Sequence, residues 1–129
     1  MAAATSSPRS SALLVMAHGS PDQTANSDLH RIVVEIQARG LFALVKAAFL
    51  ECNEPSIPDA IDACVAAGAR EIIGVPYFLH TGKHVAEDLP GIFEEGQIRH
   101  PSVRFKLGGY LGCSSQLTDI LADRIKAIE

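Results

Sequence analysis

Two short segments of this chain place imidazole beside a loop. Ala17-His18-Gly19-Ser20 follows the apolar run Ala12–Met16, and Pro76-Tyr77-Phe78-Leu79-His80-Thr81-Gly82-Lys83-His84 follows Glu71–Val75. Imidazole ligates divalent metals and exchanges protons near neutral pH. A pair of imidazoles at one cleft therefore points to metal handling, proton transfer or both. Glu51 closes a third apolar run, with Glu54 three residues on. A carboxylate there can orient an imidazole, ligate a metal or take a proton; it can also simply be solvated. His18 has a plain alternative too, as a loop histidine bonded to a neighbouring carbonyl. Gly19 permits a tight turn, and Ser20 can cap a following helix or hold a ligand oxygen. Phe78 and Leu79 can pack against a flat hydrophobic ligand or plug the top of the core, and Lys83 can attract a carboxylate or stay in solvent. His80 and His84 suit a pair of metal ligands only on a helix, and Gly82 between them favours a loop. His30 and His100 read as surface residues.

These side chains need a scaffold that brings three chain segments to one edge. Ala12–Ala17 is the short, continuous apolar run of a strand buried on both faces. Leu29, Ile32, Val33 and Ile36 recur at three- and four-residue steps, a helix face stopped by Gly40. Leu41–Leu50 reads as a second strand. Ser56 and Pro58 open a helix with Ile57, Ile61, Cys64 and Val65 on one side, and Gly68 closes it. Glu71–Val75 is the third strand. A third helix begins around His84 and runs towards Gln97, with Pro90 in its early turns or kinking it. Val103–Leu107 makes a fourth strand, and Ser115–Ile128 a last helix with Leu117, Ile120, Leu121, Ile125 and Ile128 turned inward. The βαβαβαβα order implies an α/β fold: one three-layer domain with a mainly parallel four-stranded sheet, flanked by helices and joined by right-handed crossovers. Such sheets bind ligands at the carboxyl ends of their strands. His18, Glu51 and the loop containing His84 all fall there.

The 129 residues bound one domain with a sizeable core. We expect residues 1–11 to form a flexible extension and residues 12–129 the domain. The extension lacks the apolar centre of a secretory signal, and no apolar stretch reaches the ~20 residues of a membrane span. A net charge of −4 without a basic cluster argues against a nucleic-acid partner. Cys52, Cys64 and Cys113 form no metal-binding pair and read as reduced, buried thiols of a cytoplasmic protein.

In three segments the chain resembles the class II tetrapyrrole chelatases, most closely the short CbiX-type sirohydrochlorin chelatases and the SirB ferrochelatases. They are the Ala-His-Gly-Ser loop, Phe-Leu-Glu-x-x-Glu-Pro-Ser-Ile from Phe49 to Ile57, and Pro-Tyr-Phe-Leu-x-x-Gly-Lys-His-Val-x-Glu-Asp-Leu-Pro from Pro76 to Pro90. The resemblance runs from about Leu13 to Ile128. It implies insertion of Co²⁺, Fe²⁺ or Ni²⁺ into sirohydrochlorin, towards sirohaem or cobalamin, with the metal as co-substrate and no permanently bound cofactor. It places the family histidines on His18 and His84 and the active-site glutamate on Glu51. The substrate contacts would be Ser20, Phe78, Leu79, Gly82 and Lys83. Many relatives carry Arg after His-Gly-Ser, where this chain has Pro21. By resemblance to the short forms the protein would be a homodimer. Two other readings compete. A tetrapyrrole or metal carrier could use the same ligands on the same fold. A histidine phosphatase also opens with a strand and His-Gly, but wants Arg where Ala17 stands.

Overall fold

The computed structural model describes residues 10–128, so most of the expected N-terminal extension lies outside the described residues. Four parallel strands form one sheet in the order β2-β1-β3-β4: β1 is Ser11–Ala17, β2 Leu44–Phe49, β3 Glu71–Pro76 and β4 Arg104–Leu107. β1 lies inside, every residue of it buried, which is why its sequence is a continuous apolar run rather than an alternating one. Ala17 pairs with Phe49 and Met16 with Pro76. That register brings the loops after β1, β2 and β3 to one end of the sheet.

The helices are α1 Ser27–Ala38, α2 Ile57–Ala66, α3 Leu89–Arg99 and α4 Gln116–Lys126. Alternate residues of β1 divide the core. Ala12, Leu14 and Met16 pack with Ile57, Ile61 and Cys64 of α2 and with Leu89 and Phe93 of α3. Leu13, Val15 and Ala17 pack with Leu29 of α1 and Phe49. α2 begins as its sequence demands: the Ser56 side chain accepts a hydrogen bond from the Asp59 N–H, with Pro58 in the first turn.

Four details depart from the sequence reading. β2 is shorter than Leu41–Leu50, because residues 41–43 are bends at the sheet margin. The third helix is two pieces: a π-helical turn, His84–Asp88, runs into α3. Pro90 has no N–H to close an α-helical bond to residue 86, and the Leu89 N–H reaches back to the His84 carbonyl instead. The third departure is the largest. Among the described residues of α4 none is buried, and Ile120, Leu121, Ile125 and Ile128 are all more than half exposed. Its loop is held to the β3 side, through Gly108 N–H to Gly74 O and Gly112 N–H to Phe78 O, and the helix leaves without laying its apolar stripe on the sheet. Lastly, all three cysteines are free but only Cys64 is buried; Cys52 and Cys113 are exposed.

Candidate metal centre

Three loops build the site. His18 directly follows β1, and its Nδ1 lies 3.1 Å from the Gly19 carbonyl oxygen. That oxygen can only accept, so Nδ1 carries the hydrogen. In neutral His18 the lone pair is then on Nε2, and Nε2 stands 3.3 Å from Oε1 of Glu51. Two acceptors this close call for a proton or a cation between them. Glu51 reaches this place because its loop is locked to the first: Glu51 N–H donates to the His18 carbonyl at 2.9 Å, and Ser20 N–H to Asn53 Oδ1 at 2.6 Å. Gly19 sits where the loops cross at φ +97°, and a Cβ there would run into the Glu51 carbonyl oxygen. Only glycine fits on both counts. Cys52, between Glu51 and Asn53, is a non-glycine residue at φ +67°, a left-handed conformation that such residues adopt at a cost.

His84 comes from the third loop, at the start of the π-helical turn. Its Nδ1 is 2.7 Å from Oδ2 of Asp88, one turn later. A carboxylate accepting the Nδ1 hydrogen leaves Nε2 as the free donor atom, the usual arrangement behind a metal-binding histidine. The His18 and His84 rings lie 5.2 Å apart between centroids, tilted by 57°. One ligand atom from each of His18, Glu51 and His84 falls within 4.8 Å of the others. Two imidazoles and a carboxylate form a nitrogen–oxygen donor set suited to first-row divalent ions. A cleft of about 390 Å³ opens beside them, lined by Leu50, Glu51, His84, Asp88 and Ile92 among others.

The other anticipated residues divide. Phe78 packs on the core and stands 6.5 Å from the His84 ring, whereas Leu79 is 59% exposed. Lys83 and Gly82 are exposed, Gly82 with open space around it. Ser20 does not cap α1; its Oγ accepts from the Asp22 N–H, and Asp22 caps the short 3-10 turn Gln23–Asn26. His80 is exposed and outside the donor cluster, as is Glu54. His30 is exposed, but His100 is half-buried, with Nε2 2.8 Å from Asp62 Oδ1. Asp88 and Asn53 went unnoticed in the sequence. The four-residue step from His84 to Asp88 was available as a signal for the first, whereas nothing local marks Asn53.

Fold and donor set define a class: a doubly wound α/β domain that gathers His18, Glu51 and His84, a set with the chemistry to hold a divalent metal, at the carboxyl edge of its sheet. A family model described as CbiX matches residues 12–128, and the chain belongs to the CbiX family. It is 31% identical over 113 residues to a sirohydrochlorin cobaltochelatase of Priestia megaterium, covering 88% of this chain and 37% of that protein. It is also 31% identical over 117 residues to a sirohydrochlorin ferrochelatase of Bacillus subtilis, covering 91% and 45%. Among solved structures, the sirohydrochlorin chelatase SirB from Bacillus subtilis subspecies spizizenii, in complex with cobalt, superposes with a TM-score of 0.84 at 30% identity, over 92% of this chain and 50% of that one. The chain spans about half the length, or less, of these relatives.

Proposed function

We propose that this domain inserts a divalent metal, Co²⁺ or Fe²⁺ with Ni²⁺ as a third candidate, into sirohydrochlorin in the making of sirohaem- or cobalamin-type tetrapyrroles. The observation that carries the proposal is the convergence of His18, Glu51 and His84 within 4.8 Å. The names of the relatives point the same way. Metallation exchanges two pyrrole N–H protons for one dication, so the site must both hold a cation and accept protons. One imidazole cannot do both at once. His84, its Nδ1 bonded to Asp88, offers Nε2 to the incoming metal. His18 and Glu51, facing each other at 3.3 Å, take up the displaced protons and pass them to solvent, which reaches both side chains. No cofactor is required beyond the metal that is consumed.

A single domain gives a flat macrocycle only one wall. In our reading a second copy of the chain supplies the other, with the exposed stripe of α4 as the contact. Sirohydrochlorin is a water-soluble polycarboxylate, and the three free cysteines fit a reducing compartment; we place the reaction in the cytoplasm. The test is an anaerobic assay of sirohydrochlorin with each metal, against a metal-only control because Co²⁺ inserts unaided. Faster metallation with protein, over many turnovers, supports the enzyme. Equal rates with and without protein for all three metals would refute it, and a halt after one ring per protomer would identify a carrier.

A further inference from the structure

The β2–α2 loop and the start of α1 enclose a second cavity that the metal centre does not use. It measures about 310 Å³ and is lined by Gln23, Asn26, His30, Phe49, Asn53 and Glu54. Asn26 is the unusual member. It occupies the residue before α1, where Asn ordinarily accepts a hydrogen bond from the helix's first turn, yet its side chain makes no such bond. It is only 8% exposed. With no protein partner among the described residues, its carboxamide is left to bond whatever occupies the cavity, water or a ligand. Asn53 is constrained in a complementary way. Its Oδ1 accepts from the Ser20 N–H, which turns Nδ2, a pure donor, away from that bond. Gln23 and His30 add further N–H groups, and the positive end of the twelve-residue α1 lies alongside. Phe49 supplies one apolar wall.

We infer that this cavity is an anion subsite that holds a side-chain carboxylate of the tetrapyrrole. The inference rests on the chelatase reading above. Amide donors from Asn26 and Asn53 would bond the carboxylate oxygens, above a floor formed by the buried Phe49. A protein of net charge −4 needs such local donors to hold a polycarboxylate. The loop carrying Asn53 also carries Glu51, so an arm seated here would fix the ring relative to the metal centre. Glu54, exposed on the rim, opposes the bound charge.

Two variants of opposite sign test this. Asn26→Asp keeps the shape and puts a negative charge against the arm. A hydrogen bond to a charged group, once lost, costs enough to weaken sirohydrochlorin binding about tenfold or more. KM should rise by that factor with kcat changed far less, while Co²⁺ affinity without tetrapyrrole stays the same. Glu54→Gln removes the opposing charge and should tighten binding. A propionate titration followed by NMR tests the cavity independently of the macrocycle, with the Asn26 and Asn53 side-chain NH₂ signals shifting before others. No preferential shift overturns the subsite even if chelatase activity is present. Propionate shifts in a protein that does not bind sirohydrochlorin would overturn the tetrapyrrole arm along with the chelatase reading. Unchanged sirohydrochlorin affinity in both variants would likewise overturn it.

Discussion

Asp88 touches no substrate in this account, yet it should set the strength of the metal centre through His84. The Nδ1–Oδ2 distance of 2.7 Å is that of a charge-assisted hydrogen bond. Such bonds contribute about 1.5–3 kcal/mol when sheltered. Here the side chains of His84 and Asp88 are 41% and 34% exposed, so solvent screening favours the lower end, about 1.5 kcal/mol. At about 1.4 kcal/mol per factor of ten, Asp88→Ala should weaken Co²⁺ binding about tenfold. Asp88→Asn still accepts the Nδ1 hydrogen but without the charge. Neutral bonds are about half as strong, so its loss should be nearer threefold.

Two measurements separate orientation from mere packing. Co²⁺ titration followed by visible absorption gives the affinity. Nitrogen-resolved NMR of the apoprotein reports which ring nitrogen of His84 carries the hydrogen. The wild type should show the Nδ1–H form, and Asp88→Ala should shift His84 towards the Nε2–H form that an unconstrained neutral histidine prefers. Should Asp88→Ala bind Co²⁺ as the wild type does, with the His84 tautomer unmoved, the orienting role is wrong. An Asp88→Asn variant as damaged as His84→Ala would also contradict it, since geometry alone should preserve most of the effect.

Other outcomes are more direct. His18→Ala and His84→Ala should each remove most metallation activity with the circular dichroism spectrum intact, whereas His80→Ala, outside the cluster, should stay near wild type; a dead His80→Ala beside an active His84→Ala would reverse the assignment. Glu51→Gln should slow turnover about 10²–10⁴-fold while weakening metal binding less, as read by single-turnover rates beside Co²⁺ titration. Light scattering at micromolar concentration should show a dimer that Leu121→Asp dissociates, and a fully active wild-type monomer would exclude the shared cleft. Bonds from His100 and Arg99 hold the Asp62 carboxyl below its ordinary value of 3.8. A carboxyl depressed in the fold stabilises it above that pH and loses the contribution as pH falls through the folded value, so Asp62→Asn should lower Tm slightly at pH 6, and the difference from wild type should shrink progressively as pH falls below 3.8.

What could be read from the sequence depended on whether the determinant was local. The buried run of β1, the cap at Ser56 and the punctuation at Gly68 each report on their own neighbourhood, and each leads to the right element. One further rule, that parallel strands deliver their loops to a common edge, brought His18, Glu51 and the loop holding His80 and His84 together; the choice of His84 within that loop rested on the resemblance to the chelatases. Ambiguity between Glu51 and Glu54 was different in kind, because residues three apart in an irregular loop have no periodicity to separate them. The separation is made by contacts between loops: Glu51 N–H to His18 O, Ser20 N–H to Asn53 Oδ1, and a Gly19 that no side chain could replace. The last helix shows the opposite limit. Leu117, Ile120, Leu121, Ile125 and Ile128 fall on one side of it, and periodicity identifies such a stripe without naming what will cover it. From the sequence the stripe reads as turned inward, while apolar residues of this helix or of the Phe78–Leu79 loop equally offer a face to a second copy. The structure leaves the stripe in solvent, where its burial becomes a question about a second molecule, and so about how the open side of the metal centre is closed.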